Sequence, residues 1–168
     1  MTDPDRAPAE DPTELLHALH IPDDAGSYAV ALQRLLRRIP DGRGRWIGHD
    51  AGWYPIIVAC DEQLATIDPT YTVLQVKEKF GTLRYYCAPS VDLADEDRDR
   101  FFHHVRDAQS ASARTCEICS KPAALREHRG WLKTLCHDCF EQRGLDLRDS
   151  GGGWPTLIAT DSATTPEP

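Results

Sequence analysis

Four of the six cysteines in this chain stand at a spacing that can do chemistry. Cys116-Glu-Ile-Cys119 is followed, after sixteen residues, by Cys136-His-Asp-Cys139. A CxxC turn sets two sulfurs about one ligand edge apart, and two such turns complete a tetrahedral shell of soft ligands. The spacing therefore predicts one structural zinc ion, Zn(2+), held by Cys116, Cys119, Cys136 and Cys139. His128 and His137 stand nearby as alternative ligands, but four thiolates already saturate the metal. A closed shell leaves no position for substrate, so such an ion holds a fold together and does not act as a Lewis acid. A redox reading of the two pairs needs a larger βαβ setting, which the sequence lacks. Cys60, on an apolar helix face, and Cys87, at a strand end, read as small buried hydrophobes.

The elements that must position these thiols follow from the chain on either side of them. Residues 125–126 and 131–135 have strand character about a turn at 128–130, which predicts a short hairpin between the two pairs. A short helix at 140–143, ended by Gly144, would follow. Knuckle, hairpin and a CxxC at a helix start is the order of a treble clef, and the helix N-terminus favours thiolate. Upstream, 14–20 reads as a short helix capped by Thr13. A second helix, capped by Ser27, runs to about residue 39 with Leu32, Leu35, Leu36 and Ile39 on one stripe. A third follows Pro55 to about residue 67. Residues 71–87 read as a hairpin centred on Gly81. A long helix capped by Asp92 runs to about residue 113, with Leu93, Phe101, Val105, Ala108 and Ser112 on one face. The Gly-rich, aromatic stretch between the second and third helices reads as an ordered loop, because Trp46, Trp53 and Tyr54 are costly to leave in water.

Composition narrows the classes. The net charge is −8, with seven acids and only Arg6 among residues 1–24. An acidic chain is a poor generic binder of nucleic acid or anionic membrane. No segment approaches the apolar length of a membrane span, and the acidic, Pro-rich start is unlike a signal peptide. The expectation is a cytoplasmic protein with reduced thiols. Residues 114–149 carry seven basic and six acidic side chains, so the cysteine module is not a basic finger.

Other candidate sites are weaker. Arg34, Arg37, Arg38, Arg43 and Arg45 stand against Asp41 and can be read as a phosphate patch or as a solvated helix face with a polar loop. Lys77-Glu78-Lys79-Phe80-Gly81 lacks the glycine pattern of a phosphate loop and reads as a tight turn with exposed charge. His49-Asp50 beside Trp53 is a possible site or a helix-capping loop, and no Ser/His/Asp set is visible. Arg34, Arg37, Arg38, Arg43, Arg45, Trp46, Trp53, Tyr54, Lys77 and Lys79 together form the candidate binding surface.

The strings GWYPII (52–57), LQVKEKFGTLRYY (74–86), TCEIC (115–119) and GWLKTLCHDC (130–139) resemble a group of small, uncharacterised bacterial and bacteriophage-encoded proteins. These carry a VKEKFG(G/T)LRFY hairpin followed by a CxxC…TLCxxC zinc module. The resemblance covers about residues 46–140 and implies a shared fold and a phage or prophage-like origin, but no activity. Ser120 departs from the glycine expected after the knuckle, where a strained backbone suits Gly. TLCHDC is also similar to the helix-start half of GATA-type and HNH-nuclease modules, a likeness shared by many treble clefs.

The resulting expectation is an α+β protein: a disordered acidic tail (1–12), a domain of helices packed on a β-hairpin (13–113), a treble-clef-like zinc module (114–149) and a flexible tail (150–168). Its expected role is that of a non-enzymatic protein-interaction or regulatory accessory factor with a protein partner. The alternatives are a nucleic-acid-binding factor and an HNH-like nuclease. The last would need a histidine–metal site between the cysteine pairs, where His128 stands alone.

Overall fold

A computed structural model describes residues 12–128 and 130–149. The tails expected at 1–12 and 150–168 lie outside the described residues, except for Pro12. The chain is α+β, in the order α1 (Pro12–His17), a 3₁₀ turn, α2 (Ala29–Arg37), β1 (Ile47–Gly48), a second 3₁₀ turn, α3 (Tyr54–Ile67), β2 (Thr72–Lys79), β3 (Thr82–Ala88), α4 (Asp95–Ser112), β4 (Ala124–His128), β5 (Trp131–Leu135) and α5 (His137–Asp149).

The apolar stripes decide how the helices pack. Leu32, Leu35 and Leu36 of α2, with Ile39 just beyond it, are fully or almost fully buried. Tyr54, Ile57, Cys60 and Leu64 of α3 and Phe101, Val105 and Ala108 of α4 join the same core. Each large aliphatic side chain removed from water in this way contributes about 1.5–3 kcal/mol. Helix starts differ from expectation. Ser27 sits inside the first 3₁₀ turn, and neither α2 nor α4 has a side-chain cap. α4 begins at Asp95, not after Asp92, and gathers Asp95, Glu96 and Asp97 in its first turn, where the helix dipole favours acids.

β2 and β3 form the expected antiparallel hairpin, with a bulge between Val73 and Gln75. Phe80 (φ 56°) and Gly81 (φ 75°) make its two-residue turn. Positive φ at both positions twists the turn to match the strands. β1, absent from the sequence reading, pairs in parallel with β2 through Ile47↔Val76 and Gly48↔Lys77, giving a sheet of order β1-β2-β3. Two residues carry no alternation to read, and the pairing is long-range.

One face of this sheet is core. Val76, Leu83 and Tyr85 point into it, and α4 packs across β3. Ser112 ties the two elements: its hydroxyl accepts the Leu83 N–H at 2.9 Å and donates to the Gln109 carbonyl at 2.7 Å. Below the sheet, Asp61 is buried but served by Arg38 at 2.8 Å and by the Tyr71 hydroxyl, which also meets the Tyr85 hydroxyl at 2.9 Å. Among the described residues, no helix is long and apolar enough to cross a membrane.

A second, smaller apolar cluster forms about Cys116, Leu135 and Cys136, with Ile118, Ala123, Cys139 and Phe140 against it. β4 and β5 pair in register from Ala124↔Leu135 to His128↔Trp131, as the module was expected to do. α5 is longer than the expected 140–143 and runs through Gly144, a residue that weakens a helix by about 1 kcal/mol without ending it.

Ser112→Ala would leave the buried Leu83 N–H without a partner. The expected loss is about 1–3 kcal/mol. It would be read as a lower urea midpoint at unchanged m-value; an unmoved midpoint would contradict the tie between α4 and β3.

Candidate metal centre

The four sulfurs of Cys116, Cys119, Cys136 and Cys139 all lie within 4.8 Å of one another, a cluster that could hold a metal ion. Cys119 and Cys136 approach to 3.6 Å, far beyond the roughly 2.05 Å of a disulfide, and all six cysteines are free thiols. Cys116 and Cys136 are buried, Cys139 is half-buried and Cys119 is exposed.

Local backbone geometry sets these positions. In the first loop the Ser120 N–H returns to the Cys116 carbonyl at 3.1 Å and the Cys116 N–H bonds Lys121 O at 2.8 Å. Ser120 adopts φ 63°, the left-handed conformation for which Gly was expected. Its hydroxyl gives a reason for serine there, because it donates to the Gly52 carbonyl at 2.8 Å. In the second loop, Cys136 directly follows β5 and Cys139 lies in the first turn of α5. The Cys139 N–H points at the Cys136 sulfur at 3.5 Å. That backbone hydrogen bond, opposed by burial, draws the Cys136 thiol down to about 7, so it ionises near neutrality. Burial pushes the Cys119 and Cys139 thiols upward.

The cluster is hydrogen-bonded to the loop before α3. The Gly52 N–H donates to Glu117 O at 2.7 Å, and the Trp53 indole N–H to Thr115 O at 2.8 Å. Arg143 of α5 pairs with Asp50 at 2.8 Å. Glu117, between the first two cysteines, is fully buried. Lys133 bridges it (2.8 Å) to Glu78 of β2 (3.1 Å). Burial raises the Glu117 carboxyl, and Lys133 opposes the rise. Glu117 carried no role in the sequence, Glu78 read there as exposed turn charge, and Lys133, like Lys121, as a basic residue of the nucleic-acid alternative; a carboxylate inside a CxxC was the signal, but its partners come from distant strands.

The candidate binding surface does not stay together. Trp53 and Tyr54 are core residues, at 0% and 2% exposure, and so are not available to a partner. The Tyr54 hydroxyl donates to Asp24 at 2.7 Å. Trp46 is half-buried, with its ring against Gly44 and edge-on to His20. Arg38 stacks on Tyr71 and pairs with Asp61, while Arg45 donates to Ile39 O and pairs with Asp41. Of the arginine group, only Arg34, Arg37 and Arg43 are exposed. Lys77 and Lys79 lie on the sheet face opposite the core. His49 is no open site either. Its Nδ1–H donates to Asp50 O at 2.9 Å, its ring lies against Trp53 and Tyr54, and its Nε2 is buried without a hydrogen-bond partner. Comparison with protein-family models, curated proteins and solved structures finds no match.

A Cβ at Gly52 would overlap the Cys116 carbonyl oxygen and lie 2.6 Å from Glu117 backbone atoms, which cannot swing aside. Gly52→Ala is therefore expected to cost about 1–3 kcal/mol or more, measured as a lower Tm; a parental Tm would refute the contact.

His49 makes stability pH-dependent. Burial depresses its pKa from 6.5 to about 4, against the opposing hydrogen bond to Asp50. Unfolded chains thus take up a proton before the folded protein does, and the folded state loses stability as pH falls from 6.5 toward about 4. The contribution reaches about 3 kcal/mol. Urea titrations across that range should show His49→Phe with a shallower slope than the parent; equal slopes would remove His49 as the cause.

Proposed function

We propose that Cys116, Cys119, Cys136 and Cys139 bind one zinc ion, and that the chain is a non-enzymatic binding protein in which this metal is a structural staple. The observation that carries the reading is the convergence of four thiols on one point from two hydrogen-bonded loops. Zinc–sulfur bonds of about 2.3 Å in a tetrahedron set sulfurs roughly 3.8 Å apart, close to the 3.6 Å between Cys119 and Cys136. The order of knuckle, β4–β5 hairpin and α5 supports a treble-clef-like module. Four thiolates close the coordination shell, which favours support over chemistry. The −2 charge of such a centre, about that of Zn(2+) with four thiolates, also argues against the metal face as a polyanion site. Free thiols at all six positions fit a reducing, cytoplasmic setting. The likeness of the hairpin and cysteine strings to small bacterial and bacteriophage proteins is consistent with an accessory role. A nuclease reading gains no support from His137, which is exposed on α5 and faces Glu141 at 4.0 Å.

Metal analysis of freshly purified protein should find one zinc per chain. Cys136→Ser should lose it, and chelation should lower the Tm because binding free energy is folding free energy in such modules. Well under half a zinc per chain, or a chelator-insensitive Tm, would overturn the assignment.

A further inference from the structure

We propose that the solvent face of the β1-β2-β3 sheet binds single-stranded nucleic acid. This deepens the reading of the chain as a binding protein by giving it a ligand class.

The strand register defines the face. Gln75↔Tyr86, Lys77↔Arg84 and Lys79↔Thr82 are directly opposed pairs, and they share the side opposite the buried Val76, Leu83 and Tyr85. These six positions hold three cations and no acid. On the third strand, Gly48 lies beside Lys77; a Cβ there would come within 3.0 Å of Lys77 Cβ, so glycine keeps that side of the face low.

The cations are unneutralised. Among the described residues, no carboxylate lies within ion-pair distance of Lys77, Lys79 or Arg84, whereas Arg38, Arg45, Lys133 and Arg143 are each paired. Arg84 instead leans on the Thr82 hydroxyl and the Leu83 carbonyl, which hold its guanidinium on this face. In a chain of net charge −8 this is a local positive surface complementary to a polyanion.

Aromatic rings flank the cations. Tyr86 is 42% exposed and Phe80 64% exposed. The Lys77 ammonium lies 5.9 Å from the Tyr86 ring and that of Lys79 lies 5.2 Å from the Phe80 ring. Phe80 occupies a left-handed turn position that Asn or Gly would fill with less strain, and most of its ring stays in solvent. The four residue steps from Gln75 to Lys79 span about 14 Å. Stacking ring, paired cations, cation, stacking ring is the order that alternating bases and phosphates of an unpaired strand require. A duplex hides its base faces and cannot use the two rings.

The test is fluorescence anisotropy of the full chain with a labelled oligothymidylate of about 16 nucleotides, within the range of site sizes for such platforms. Three phosphate contacts predict that log K falls against log salt with a slope of about −2. Lys77→Gln and Arg84→Gln should each weaken binding and flatten the slope by about 0.7. Tyr86→Ala should weaken binding roughly tenfold at unchanged slope, with Tyr86→Phe restoring it. Arg106→Gln, on the exposed side of α4, should bind as the parent does. No binding at about 50 mM salt would overturn the proposal. So would indifference to the Lys77 and Arg84 variants, equal affinity for duplex of the same length, or equal displacement by polyglutamate, which would point to an acidic protein partner. Metal content measured on the same samples separates this failure from failure of the zinc assignment.

Discussion

The close approach of two backbones at Gly52 and Cys116–Glu117 is the contact on which the relation between the two halves depends. No side chain separates them. The Gly52 N–H donates to Glu117 O, and the Gly52 carbonyl accepts from the Ser120 hydroxyl. Reciprocal bonds of this kind index the first cysteine loop to the residues that open α3. Trp53 adds a third link through its indole, while its ring lies in the core. The thiol cluster is thus joined to the larger core by one main-chain pair and by two side-chain donors that end on main-chain carbonyls. A module that pairs two loops only through the sulfurs would be a removable appendage; one joined in this way makes loop order and core packing interdependent.

The same contact carries an electrostatic cost. Glu117 loses all exposure to water because it lies under the loop it holds. Isolated, a buried carboxylate would be expelled or protonated. Lys133 opposes this, and its second bond to Glu78 reaches across to β2. Glu117 Oε1 also accepts the Asp50 N–H at 3.4 Å. Such groups are weak evidence for net stability, but removing one partner is costly because it strands the other. Their value here is geometric: Lys133 ties β5 to β2 and to the first cysteine loop at once.

What the sequence disclosed follows from the range of each interaction. The cysteine pairs, the β2–β3 turn and the buried faces of α2, α3 and α4 are encoded within a few residues, and they were legible. The left-handed backbone at Ser120 was anticipated only through the glycine that the resemblance places after the knuckle, because serine itself does not signal it. Trp53 and Tyr54 were misread as surface because an aromatic in a Gly-rich loop has the same local signature whether it points in or out. Arg38 looked like part of a phosphate patch until Asp61 and Tyr71, both remote in sequence, were brought beneath it. β1 has two residues and no pattern of its own. Glu117 and Lys133 share the problem: each is an ordinary charged residue until tertiary contact removes its water.

The thiol cluster and the sheet face meet at the hairpin tip. Gly81 packs against Leu125 of β4, leaving no room there for a side chain, and its carbonyl accepts the Thr134 hydroxyl of β5 at 2.6 Å. Glu78, one strand position before Lys79, is held by Lys133. The turn that carries Phe80 is therefore braced from behind by the hairpin whose ends lead into the two cysteine loops. A free two-residue turn at the end of a hairpin frays easily, because isolated hairpins are marginal in water. Here the fraying end is the one secured to the cysteine module. β4 and β5 thus connect the two cysteine loops to the turn that carries Phe80 at the edge of the solvent-facing sheet.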